Sequence, residues 1–129
     1  MNRRNCLQTM LAAAVPAAAQ AQANKPIQLH VDLAVNPAKE QEMLRIFRDT
    51  FRPAAAKQPG YIDAKMIKLR PALQGQAPAG ANYRFVLVFQ TEELRQKWIA
   101  TKEHRHAWPL IENTLTSKNY TVLLYDVEA

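Results

Sequence analysis

Three histidines, His30, His104 and His106, are the only side chains of this 129-residue sequence whose ordinary pKa lies near neutrality. At about 100° per residue, His104 falls near an apolar helical stripe formed by Leu94, Trp98, Thr101, Trp108, Ile111 and Leu115. His106 points roughly the opposite way. An imidazole beside an aromatic wall can hold or abstract a proton from a bound hydroxyl. The other reading of His104 is a packed histidine whose ring bonds a backbone carbonyl. His104-x-His106 resembles a metal-binding pair, but positions i and i+2 of a helix diverge by about 200° and cannot share one ion. No metal site is expected. His30 and Asp32 are two residues apart in a strand-like stretch and face the same way. They can couple, with Asp32 raising the pKa of His30, and they line either an interface or a pocket. Tyr61, Tyr83, Phe85, Phe89, Trp98 and Trp108 could wall a flat aromatic ligand or simply fill a small core. Arg84 and Arg70 could anchor an anionic oxygen or lie solvated.

Regular elements must bring these groups together. Ile27 to Val35 alternates apolar and mostly polar residues, the period of a strand. Asn36-Pro37 is a cap followed by a first-turn proline. Met43, Leu44, Phe47, Phe51 and Ala54 then recur at helical spacing. Pro59-Gly60 marks a turn, and a second strand is expected from about Tyr61 to Arg70. Pro71 to Asn82 is an aperiodic loop. Tyr83 to Phe89 is a strand apolar on both faces. Thr91-Glu92-Glu93 opens a second helical region reaching about Leu115, with a break or kink expected near 101–109 because of Pro109. Tyr120 to Val127 is the last strand. The order predicts an α+β, ferredoxin-like βαββαβ fold: a four-stranded antiparallel sheet with two helices on one face. The sheet's other face needs a cover, and a second copy of the chain is the economical one.

Residues 1–23, MNRRNCLQTMLAAAVPAAAQAQA, read as a signal peptide: Arg3 and Arg4, a short apolar stretch, then small-x-small sites ending at Ala23. Asn2 to Gln8 resembles a twin-arginine signal. Removing 23 of 129 residues leaves one domain, 24–129, and lowers the formal charge from +6 to +4. Cys6, the one cysteine, leaves with the leader. A thiol-free chain suits an oxidising compartment and excludes a cysteine nucleophile or thiolate-ligated haem. The expected location is the periplasm or the outside of a bacterial cell, without stable membrane insertion. The remaining basic residues are scattered, with only a modest stripe at Arg45, Arg48 and Arg52. No nucleic-acid motif accompanies them, so no nucleic acid is expected as a partner.

Three stretches carry a family resemblance: Gln58-Pro59-Gly60-Tyr61-Ile62 entering the second strand, Tyr83 to Phe89 leading into an acidic helix start, and the W-x5-H segment Trp98 to His104. Together they resemble the antibiotic-biosynthesis monooxygenase group of the dimeric α+β barrel superfamily, over nearly all of 27–127. The resemblance implies a homodimer with a pocket between each sheet and its helices. It implies oxidation of a quinol or polyphenolic substrate by O2 without a cofactor. His104 and Trp98 match the group's histidine and tryptophan and are the expected catalytic residues. His30, Asp32, Tyr61, Tyr83, Arg84, Phe89 and Trp108 are the expected binding residues for a small aromatic or quinone-like ligand. The group also implies alternatives, since the fold does not decide the function: a non-catalytic ligand-binding or stress-response module, or a haem-binding or haem-degrading protein with His104 as axial ligand and His30 nearby.

Overall fold

The computed structural model describes residues 25–129. The expected leader, 1–23, lies outside the described residues. Chain order is β1 (Ile27–Leu33), helix α1 (37–56), β2 (Tyr61–Lys68), β3 (Tyr83–Phe89), α2 (Glu92–Ile99), α3 (Lys102–Glu112) and β4 (Thr121–Asp126). The four strands form one sheet in the order β2-β3-β1-β4, with every neighbouring pair antiparallel. This is the ferredoxin-like arrangement, with the second helical region split into two pieces.

The alternation in β1 determines what is buried. Ile27, Leu29, Val31 and Leu33 face the helices and pair in register with Phe89, Leu87, Phe85 and Tyr83 of β3. Against this surface α1 lays Met43, Phe47, Phe51 and Ala55, while α2 and α3 contribute Trp98, Ala107 and Ile111. The opposite sheet face carries His30, Asp32, Arg84, Val86, Leu123 and Tyr125, which share register positions across the three strands.

Helix α1 begins as read from the sequence: Asn36 Oδ1 accepts the Ala38 N–H at 2.9 Å, and Pro37 opens the first turn. Its interior is not plain α-helix. A 3-10 turn (Pro37–Lys39) leads into α-helix (Glu40–Ile46), then a π turn (Phe47–Phe51), then α-helix again (Arg52–Ala56). Pro53 has no N–H to donate to the carbonyl four residues back, and its ring crowds that carbonyl. Widening the preceding turn relieves this, with the Arg52 N–H bonded to Phe47 O.

The break in the second helical region falls at Ala100-Thr101, at the edge of the expected window, and Pro109 sits inside α3. Thr101 is the physical reason. Its hydroxyl donates to Trp98 O at 2.7 Å and accepts the His104 N–H at 3.2 Å, closing one helix and capping the next. Pro109 is tolerated because the carbonyl it leaves without a donor, that of Arg105, lies on an exposed turn. Strand β1 ends two residues before the expected Val35. There the Asn82 side chain takes over, accepting the Val35 N–H at 2.8 Å and donating to its carbonyl at 2.9 Å.

Candidate active site

A cavity of about 160 Å3 lies between the sheet and the helices. Its floor is the helix-facing surface of the two central strands: Leu29, Val31, Phe85 and Leu87. Phe51, from the π turn, stands over it. Trp98 and Ile99 come from the end of α2, His104 and Trp108 from α3, and Tyr120 and Val122 from the start of β4. Ile99 and Val122 are also exposed, so the cavity opens beside the β4 edge.

Aromatic contacts fix the imidazole. Trp98 is only 1% exposed, and its ring meets His104 edge-to-face at 5.0 Å. Phe51 lies 6.3 Å from His104 and 5.7 Å from each of Trp98 and Trp108. The His104 ring makes no hydrogen bond among the described residues; only its backbone N–H is engaged. No buried side-chain nitrogen or oxygen among those residues lacks a partner, so both ring nitrogens keep some accessible surface. A packed ring bonded to a backbone carbonyl is therefore not what this fold builds. Burial lowers the His104 pKa, the Arg95 cation lowers it further, and Glu112 opposes both.

Polar groups flank the aromatic walls on two sides. On one, Trp108 Nε1 donates to the Tyr120 hydroxyl at 3.0 Å, which donates to Glu112 Oε2 at 2.6 Å. Burial and the Glu112 bond raise the Tyr120 pKa, against the opposing Trp108 bond. On the other, Arg95 is gripped by Glu92 through Nε (2.6 Å) and Nη2 (2.7 Å).

Trp98, His104 and Trp108 are thus brought together. None of the other expected site residues lines this cavity; Asp32, Tyr83 and Arg84 instead line a separate one of about 490 Å3 beside the 71–82 loop. Phe89 is fully buried in the core, edge-to-face with Tyr61 at 6.2 Å, and neither lines the cavity. Tyr83 faces the helices at the far end of the sheet, where its hydroxyl donates to Glu40, a partner of Lys68 at 2.7 Å. Burial and Glu40 push the Tyr83 pKa up to about 12. His30, Asp32 and Arg84 occupy the opposite face of the sheet, because residues of even number in β1 point away from the helices. The expected upward pull of Asp32 on His30 is present but outweighed. Asp32 is engaged by Arg84 at 2.7 and 3.3 Å. Burial and the Arg84 charge lower the His30 pKa, outweighing the opposite pull of Asp32. His106 is exposed and lies outside the cavity lining. Among the described residues no cluster of His, Cys, Asp or Glu side chains could hold a metal ion, and no helix is long and apolar enough to cross a membrane.

Sequence reasoning missed Arg95, Phe51 and Tyr120 as cavity residues. Phe51 was visible only as one member of a core stripe. Tyr120 carried no signal beyond opening a strand. Arg95 was hidden by the helix break.

No family model and no curated protein matches the chain. Solved structures do share its fold. A "putative antibiotic biosynthesis monooxygenase" from Caulobacter crescentus superposes with a TM-score of 0.65 at 17% identity, covering 83% of this chain and 93% of that one. SnoaB, a cofactor-independent oxygenase from Streptomyces nogalater, in a mutant form, gives 0.64 at 14% identity, covering 81% and 95%. A dimeric ferredoxin-like protein of unknown function from Jannaschia gives 0.63 at 14% identity, covering 81% and 99%. The chain shares the ferredoxin-like fold of these proteins.

Proposed function

We propose that the chain is an oxygenase that binds a quinol-like aromatic ring in the helix–sheet cavity and oxidises it with O2, without metal or flavin. One observation carries this reading: a part-buried histidine, unbonded through its ring, faces an aromatic cavity sized for a single ring. An apolar cavity of about 150 Å3 holds one benzene molecule, and this one measures about 160 Å3. The likeness of fold to a cofactor-independent oxygenase supports the reading.

The chemistry follows from the side chains. The ring lies among Phe51, Trp98 and Trp108. Neutral His104 takes a proton from the substrate hydroxyl, leaving an electron-rich oxyanion. That anion passes electrons to O2, one oxygen atom enters the ring, and the other leaves as water. The substrate supplies every electron, so no external reductant enters the balance. A positioned general base contributes roughly 10²–10⁴-fold.

Oxygen uptake by the purified protein with a panel of hydroquinones tests the reading. Uptake above autoxidation, lost about 100-fold or more in His104→Gln, is expected. No uptake while a ring is still bound would replace the enzyme with a ligand-binding or stress-response module. A haem site is not favoured, because a tetrapyrrole macrocycle does not fit a one-ring cavity as it stands; a Soret band on haem titration, lost in His104→Ala, would restore it. The same reading includes export to the periplasm or beyond, checked by cell fractionation, and assembly as a homodimer.

A further inference from the structure

We propose that the cavity binds a single-ring phenol as its phenolate, with Arg95 holding the oxyanion and Glu92 positioning Arg95. This rests on the cavity being the ligand site and adds the ionisation state and the ring size of what it selects.

Arg95 lines the cavity beside His104, and its side chain is 14% exposed. Glu92 takes Nε and one hydrogen of Nη2, and is itself held by Gln96 Nε2 at 3.0 Å. A guanidinium has five N–H donors in a rigid fork. The Nη1 side therefore has no protein partner among the described residues, and bidentate pairing fixes where it points. Such a charge-assisted donor is strongest where water is scarce, and the rest of this cavity is mostly aromatic and aliphatic. Tyr120, also in the lining, is committed to the Glu112 carboxylate, which repels an anion, so Arg95 is the cationic donor left to meet the ring's oxygen. The proton leaves the phenol oxygen for a nitrogen of His104, whose neutral, proton-accepting form is favoured by burial and then by the guanidinium's charge. No oxidant or reductant is needed for this step.

The size of the cavity adds a second selection. At about 160 Å3 it takes one ring, and a second fused ring would have to project through the mouth beside Val122.

The test uses 4-nitrophenol, whose visible absorption band belongs to the phenolate, with the whole purified protein. Binding is read separately by quenching of Trp98 and Trp108, the only tryptophans in the sequence. At a pH below the probe's own pKa, binding should raise the phenolate band and lower the bound probe's pKa by about 1–3 units. Arg95→Gln should bind the probe as the neutral phenol. Arg95→Lys should retain part of the shift, and Glu92→Gln, which keeps the cation but loosens it, should fall between wild type and Arg95→Gln. A two-ring naphthol should bind more weakly. Thermal melts establish that each variant is folded. A neutral bound probe in wild type, an unchanged shift in folded Arg95→Gln, or naphthol binding as tightly as the single ring would overturn the proposal. Hydroquinone oxidation persisting alongside any of these would leave the oxygenase reading intact. Absence of both binding and oxygen uptake would remove both.

Discussion

His104, Trp98, Trp108 and Arg95 meet in one cavity because the second helical region is broken at Thr101. Nine residues on an unbroken helix turn about 900°, which places Arg95 and His104 on opposite sides; the break at Thr101 resets the phase and brings them to the same cavity. The consequence of Arg95 and burial is measurable. Since the His104 pKa lies below the ordinary 6.5, its neutral, proton-accepting form survives into mildly acidic solution. The acid limb of kcat/KM for quinol oxidation is expected below pH 6.5, not at it. In Arg95→Gln it should move up toward the ordinary value. Stability carries the same sign. The unfolded chain binds a proton at His104 at higher pH than the folded chain does, so stability is lost as pH falls from about 6.5 toward the lowered folded value. Urea midpoints measured across that window should decline in wild type and decline less steeply in His104→Gln. His30, lowered by burial and Arg84, contributes in the same direction.

Among the elements, β1 is the easiest to read because its period-2 alternation survives packing, and β3 reads as a short apolar run bounded by turn signals. The helices were harder. The π turn ahead of Pro53 and the split at Thr101 both answer local hydrogen-bonding demands that apolar periodicity does not report. The Thr101 hydroxyl joins the last turn of α2, at Trp98, to the first turn of α3, at His104, and so controls the angle between the two rings. Thr101→Ala should cost about 1 kcal/mol and reduce quinol oxidation further than that loss explains, whereas Thr101→Ser should restore both; melts and oxygen uptake on the three proteins decide it. Gly60 has a comparable role between α1 and β2. Its φ is +87°, and a Cβ there would lie 2.5 Å from Leu94 Cδ1, in the first turns of α2. Both the left-handed backbone and the contact penalise a side chain. Gly60→Ala is expected to destabilise the fold by about 2 kcal/mol, seen as a lower denaturation midpoint. The Pro59-Gly60 turn signal in the sequence implied the bend but not the helix pressed against it.

At the scale of the whole molecule, the sheet face turned away from the helices asks for a partner. The sequence pointed to β3 as the strand with apolar residues on both sides, yet Val86 there is already buried by its neighbours. Exposed apolar residues lie on both edge strands, Ile62 and Ile67 on β2 and an unbroken run on β4, where Val122, Leu123, Leu124 and Tyr125 are each between 43% and 51% exposed. A run of exposed apolar residues on a free sheet edge is a site for association. The charges on that face suit a dry contact, because they are matched inside one copy: Asp32 with Arg84 at 2.7 Å and Asp63 with Lys65 at 3.6 Å. Burying them against a second copy therefore strands no lone charge. A two-fold dimer built on β4 and the face of His30, Leu123 and Tyr125 is the expected solution state. It would also close the cavity mouth, which opens beside Val122. Sedimentation should return twice the chain mass. Leu123→Glu combined with Tyr125→Glu should give a monomer with an unchanged far-ultraviolet spectrum and weaker ring binding. A wild-type chain that sediments as a monomer at micromolar concentration would detach the cavity's function from any partner.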